Sequence, residues 1–167
     1  VARIQPVIRP ATALDLASVR DLLVATWHAT YDAIYGPDEV TRITDDWHSL
    51  ENLAKGLTKP AHLFLVAADQ SGSIVATASA TDRGEGLVWL DRLYVLPAAQ
   101  GRGIGTALLH SVQAGFPDAN RCGLEVESRN AQGVGFYRRA GFEGDEQGFC
   151  HHQAKAIRLE KRWPADS

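Results

Sequence analysis

The 167-residue chain has no methionine, and its only cysteines are Cys122 and Cys150. Two isolated cysteines make neither a C-x-x-C pair nor a zinc ligand set, so no metal is expected. A Cys122–Cys150 bridge stays open beside the plainer reading of two free thiols in a reducing compartment. Long apolar runs are also missing. No stretch approaches the ~18 consecutive residues that a membrane helix needs, and Val1 to Pro6 lacks the apolar segment of a secretory leader. A cytoplasmic protein without a membrane partner is expected. Basic charge is not in excess: 17 Lys and Arg stand against 20 Asp and Glu, a net charge of -3. That balance argues against nucleic acid as a partner. No repeat, low-complexity tract or linker divides the sequence, so residues 1–167 read as a single domain. The length suffices to bury a core without disulfide staples.

What is present has a readable order. Residues 4–9 read as a short strand. Thr12-Ala13-Leu14-Asp15 has capping-box form and opens a helix on which Leu16, Val19, Leu23 and Trp27 recur at helical spacing. Gly36-Pro37 breaks that helix, and Asp38 is the expected cap of a second one running irregularly towards Gly56. Residues 62–68 and 74–80 flank a turn-rich segment and read as a hairpin. A strand over 87–96 follows, then a helix over 105–116, a strand over 121–127 and a helix over 130–140 closed by Gly141. Two strands, from 142 and over 154–160, finish the chain. The order β-α-α-β-β-β-α-β-α-β-β predicts a mixed α/β (α+β) sheet of about seven strands flanked by four helices.

The most informative stretch joins the 87–96 strand to the helix after it. Gly101, Gly103 and Gly105 alternate there, with Arg102 between the first two. Glycine lets backbone N–H groups turn towards an anion, and a helix N-terminus adds unpaired donors and a favourable dipole. The loop is no Walker sequence, because no Gly-Lys-Ser/Thr follows. Nor is it a dinucleotide fingerprint, because Leu108 stands where the third glycine belongs.

With Gln100-x-x-Gly103-x-Gly105 after an apolar strand, the sequence resembles the GNAT superfamily of N-acetyltransferases and their acyl-CoA signature. Asn130-Ala131-Gln132-Gly133-Val134-Gly135-Phe136-Tyr137-Arg138-Arg139-Ala140-Gly141-Phe142 is similar to the family's N-x-x-A-x-x-F-Y-x-x-x-G-F segment, with Gly133 replacing the usual alanine. The resemblance implies acetyl-CoA as co-substrate, bound where two parallel central strands splay apart. The main chain of Leu93, Tyr94 and Val95 would pair with the pantetheine arm, and Gln100, Gly101, Arg102, Gly103, Ile104, Gly105 and Thr106 would hold the pyrophosphate. Asn130 would contact pantetheine or cap its helix. Tyr137 would be the general acid for the departing thiolate.

The resemblance leaves the base open. Many relatives carry a glutamate where this chain has Trp89. Asp91, two residues on and on the same strand face, is the preferred candidate. Glu125 and Glu127 share a face of the neighbouring strand and also qualify, as does an amine that arrives already neutral. Trp27, Tyr31 and Tyr35 form an aromatic stripe that fits either core or acceptor pocket. His28, Trp47 and His48 lie nearby, and Trp89 and Glu125 complete the expected acceptor wall. His151-His152 alternate on a strand, which argues against a chelate. The expected activity is transfer of acetyl to a primary amine of a small molecule or peptide, with a non-catalytic acyl-CoA sensor as the alternative and a homodimer left open.

Overall fold

The computed structural model describes residues 5–149 and 155–163. Cys150 and the His151-His152 pair lie outside them. Cys122 is buried and free, and burial pushes its thiol up to about 12.

Seven strands form one sheet: β1 (Val7–Pro10), β2 (His62–Ala68), β3 (Ile74–Asp82), β4 (Leu87–Val95), β5 (Arg121–Glu127), β6 (Glu143–Phe149) and β7 (Lys155–Arg162). Their order across the sheet is β1-β2-β3-β4-β5-β7-β6. Every pairing is antiparallel except β4 with β5. Five α-helices lie among the described residues: α1 (Leu16–Tyr35), α2 (Pro37–Trp47), α3 (Leu50–Thr58), α4 (Ile104–Gly115) and α5 (Ala131–Arg139). The mixed seven-stranded sheet is as the sequence predicts, with one helix more than expected.

The extra helix has a local cause. Residues 38–56 do not form one irregular helix, because Ser49 starts a new one. Its hydroxyl accepts the Asn52 N–H at 3.1 Å, which makes it the N-cap of α3. Asp38 is not the cap of α2 either. Gly36 occupies that position at φ 89°, Pro37 is the first helical residue, and Asp38 adds negative charge in the first turn. The capping box at Thr12 does form, with the Thr12 N–H donating to Asp15 Oδ2 at 2.8 Å. Arg9 grips the same carboxylate at 2.7 and 2.9 Å.

Strand alternation sorts the core onto two faces. Leu65, Ala78, Val88, Leu90 and Leu124 pack with Leu108 and Val112 of α4, and Val134, Phe136 and Tyr137 of α5 join them. Phe64 and Val66 face the opposite way, against Val19, Leu22 and Leu23 of α1 and Leu53 of α3. Trp27 and Tyr31 continue along α1 and meet Val40 and Ile43 of α2.

Two irregularities of β4 make the site. Its parallel pairing with β5 runs from Leu87↔Arg121 to Trp89↔Gly123 and stops there, so the C-terminal halves of both strands lack each other as partners. Its pairing with β3 passes from Ser79↔Arg92 to Ala80↔Leu90, leaving Asp91 as the extra residue of a β-bulge.

Candidate active site

A cavity of about 630 Å³ opens where β4 and β5 part. Its floor is residues 89–95 of β4 and 124–127 of β5. The start of α4 closes one end, the aromatic side of α1 the other, and α5 one flank. Of the site residues expected from sequence, Asp91, Leu93, Tyr94, Val95, Gln100, Gly101, Gly103, Ile104, Gly105, Thr106, Asn130, Tyr137, Trp27, Tyr31, Trp89 and Glu125 all line it. Arg102 does not. It is exposed to solvent.

The glycine loop divides into two kinds of position. Gly101 (φ 77°) and Gly103 (φ 83°) are left-handed, and a Cβ on either would meet no protein atom within 4 Å. They serve the backbone path and leave open space beside it. Gly105 is helical, and a Cβ there would lie 3.0 Å from Phe136 Cζ, so it lets α4 approach α5 closely. Gln100 fastens the loop to the strand: its amide donates to the Val95 carbonyl at 3.0 Å and accepts from Gln132 Nε2 at 2.8 Å.

On α5, Asn130 caps the helix by accepting the Gly133 N–H at 3.0 Å. Its Nδ2 donates to the Tyr31 hydroxyl at 3.4 Å, which links the flank to α1. Glycine at 133 has a reason, because a Cβ would lie 2.5 Å from Asn130 Nδ2. Tyr137 packs its ring against Phe136 at 5.3 Å and Phe142 at 5.7 Å. Burial pushes its pKa up, with Tyr94 and Tyr31 adding to the shift, so the phenol keeps its proton at neutral pH.

The aromatic stripe of α1 is both core and cavity wall. Trp27 and Tyr31 lie 4.5 Å apart by ring centroid, and Tyr31 and Tyr35 stack at 5.5 Å. Trp89 packs against β5, where a Cβ on Gly123 would lie 2.8 Å from its ring. Two guanidinium groups approach its ring, Arg83 at 4.1 Å and Arg158 at 5.1 Å, both within cation–π reach. His48 is 3% exposed and neither ring nitrogen has a hydrogen bond. Burial first, then Arg92 and Arg20, holds its pKa down at about 3.

The carboxylates are held differently. Asp91 Oδ2 accepts the Thr81 hydroxyl at 2.7 Å and lies 3.7 Å from His62 Nδ1. Since Thr81 donates to Asp91, its oxygen accepts from His62 Nδ1 at 2.8 Å. Burial lowers the His62 pKa and outweighs the pull of Asp91, so this imidazole is a neutral prop. Glu127 lines the cavity with a side chain only 4% exposed. It accepts from Tyr35 at 2.6 Å and Arg129 Nε at 2.8 Å. Burial alone would raise its pKa, but these bonds hold it below the ordinary value. Sequence reasoning missed Thr81, His62, Arg83 and Arg92. Each lies in or beside a strand, with no motif to mark it.

Residues 16–142 match the model of the acetyltransferase (GNAT) family. An uncharacterized N-acetyltransferase of Mycobacterium tuberculosis is 33% identical over 109 residues, 64% of this chain and 69% of that protein. Aminoglycoside N(6')-acetyltransferase type 1 of Stenotrophomonas maltophilia is 31% identical over 152 residues, 85% of this chain and 89% of its own. The crystal structure of PaiA N-acetyltransferase from Thermoplasma acidophilum, in complex with coenzyme A, has a TM-score of 0.84 at 22% identity, over 96% of this chain and 100% of that one. At that identity the likeness establishes the fold.

Proposed function

The chain belongs to the GNAT family of acetyltransferases, and we propose that it moves the acetyl group of acetyl-CoA onto a primary amine of a small molecule or peptide by direct attack. The observation that carries this reading is the parted strand pair. From Leu90 to Val95 the main chain of β4 has no partner on its β5 side, and that edge faces the cavity beside the glycine loop. An extended amide-bearing chain fits such an edge as an added strand does.

Acetyl-CoA supplies an activated thioester. Gly101, Gly103 and the N–H groups opening α4 would hold its pyrophosphate, with Arg102 as an outer cation. Leu93, Tyr94 and Val95 would align the pantetheine amides, and Asn130 would border that arm. The coenzyme A complex of the Thermoplasma acidophilum structure supports acetyl-CoA as the co-substrate. Tyr137 Oη would give its proton to the departing sulfur, a role that suits a phenol kept protonated. Asp91 would take the proton of the amine, directly or through water. Glu127 is less suited, because Tyr35 and Arg129 already occupy both of its oxygens. Trp27, Tyr31, Trp89 and Glu125 would wall the acceptor.

Acetyl-CoA is expected to raise the melting temperature where ATP and NAD do not. At a hundredfold excess over Kd the gain is ~2.7 kcal/mol. Thiol release in the presence of an amine library reports transfer. An absent shift, or an equal one with ATP, removes the reading.

A further inference from the structure

The bulge in β4 places two opposite charges side by side. Thr81 and Ser79 lie on one face of β3, and they oppose Trp89 and Arg92 on either side of the extra residue Asp91. Asp91 reaches Thr81, and Arg92 Nη2 donates to the Trp47 carbonyl at the end of α2, at 3.3 Å. Both side chains thus lie on the α1–α3 face, and both residues line the cavity.

Arg92 is the anomaly. Its side chain is partly buried, and the long contact to Trp47 is its only hydrogen bond among the described residues. No described carboxylate lies within ion-pair distance of it. Nearby Arg20 is matched by Asp45, while His48 is neutral and makes no hydrogen bond. Desolvation outweighs the through-space attraction of neighbouring Asp91, and a desolvated guanidinium with no directly bonded carboxylate is costly, so such groups are retained with a partner. Arg83, stacked on Trp89 in the same cavity, also lacks a carboxylate partner among the described residues. On the acidic side, Arg129 already neutralises Glu127. A polycationic acceptor would meet the cations Arg92 and Arg83 as well as the carboxylates Asp91 and Glu125. A molecule carrying one ammonium and one anionic group would meet its complement.

We propose that Arg92 is the binding site for an anionic group, a carboxylate or phosphate, on the acceptor, whose amine lies towards Asp91. The inference rests on the acetyl-transfer reading and narrows its substrate class to zwitterionic amines. Arg92 supplies a forked donor pair that matches either anion.

The test is a matched acceptor panel followed by thiol release. It contains α- and ω-amino carboxylates, aminoalkyl phosphates, the neutral amide or alcohol of each, and linear polyamines. The expected result is a kcat/KM for an anionic amine on the order of 100-fold above its neutral analogue, the loss seen when a buried charge pair is truncated. The carboxylate and phosphate arms show which anion is natural. Arg92→Gln should collapse that ratio mainly through KM, and Arg92→Lys should restore part of it. Free Arg92→Gln should melt no lower than the wild type, because the desolvation it relieves outweighs the long Trp47 contact and the through-space attraction of Asp91. Faster turnover of polyamines, no transfer to any anionic amine, or an Arg92→Gln defect equal on charged and neutral acceptors would overturn the inference. Those outcomes leave the acetyl-CoA shift intact. Loss of that shift in the wild type removes the transferase reading, and this inference with it.

Discussion

At the flank of the cavity the Tyr137 phenol combines a packed ring with a raised pKa. The two properties separate in Tyr137→Phe, which keeps the ring contacts and deletes the proton. Turnover is expected to fall by ~10²–10⁴-fold, the range for a positioned acid, while acetyl-CoA affinity stays near wild type. Single-turnover rates beside equilibrium binding measure the two separately, and wild-type turnover would return Tyr137 to the core. At this same scale the sequence was only partly legible. Tyr137 and Asn130 sit in a recognisable segment. Arg92 does not, because nothing in its neighbours tells that a bulge turns it onto the face of Asp91.

At the scale of the element, the turn from β4 into α4 carries two glycines for one reason and a third for another. Gly103→Val forces a branched side chain into a left-handed backbone, at a cost of roughly 1–2 kcal/mol, but its Cβ meets no protein atom. The variant should fold and lose the thermal shift with acetyl-CoA. Gly105→Val drives a Cβ into Phe136 and should lower the stability of the free protein instead. Melting curves with and without acetyl-CoA distinguish the two patterns, and a retained shift in Gly103→Val would remove the cradle. The spacing Gln100-x-x-Gly103-x-Gly105 announced this turn from sequence. The break between α2 and α3 was not read from sequence, because Ser49 is followed three residues on by Asn52 and not by the Glu or Gln that marks a capping box.

Across the whole molecule, His48 couples the aromatic cluster to pH. In the fold its pKa is held down at about 3, chiefly by burial, whereas in the unfolded chain it takes up a proton near the ordinary value of 6.5. Between those values the unfolded state binds more protons, so stability falls as pH drops from 6.5 towards 3. His48→Phe should flatten that decline. Urea midpoints for both proteins from about pH 7 to pH 4, a span that crosses the ordinary imidazole titration, provide the comparison. Parallel curves would show that His48 already ionises in the fold. Among the described residues no helix is long and apolar enough to cross a membrane, and none of their His, Cys, Asp and Glu side chains form a group that could hold a metal.

Local chemistry determined the elements and the two motifs. Hydrophobic period, caps and glycines act over a few residues, so the order of elements along the chain, the glycine-rich turn and the Asn130–Phe142 segment were legible in the chain alone. Tertiary structure decided which polar side chains share the cavity. The parting of β4 from β5 depends on how two strands distant in sequence diverge after Trp89↔Gly123. The neighbourhood of Asp91, Thr81 and His62 depends on β2, β3 and β4 lying in register. Glu127 finds Tyr35 across 92 positions of sequence. Such contacts arise from register and burial summed over the whole sheet, which no window of neighbouring residues contains.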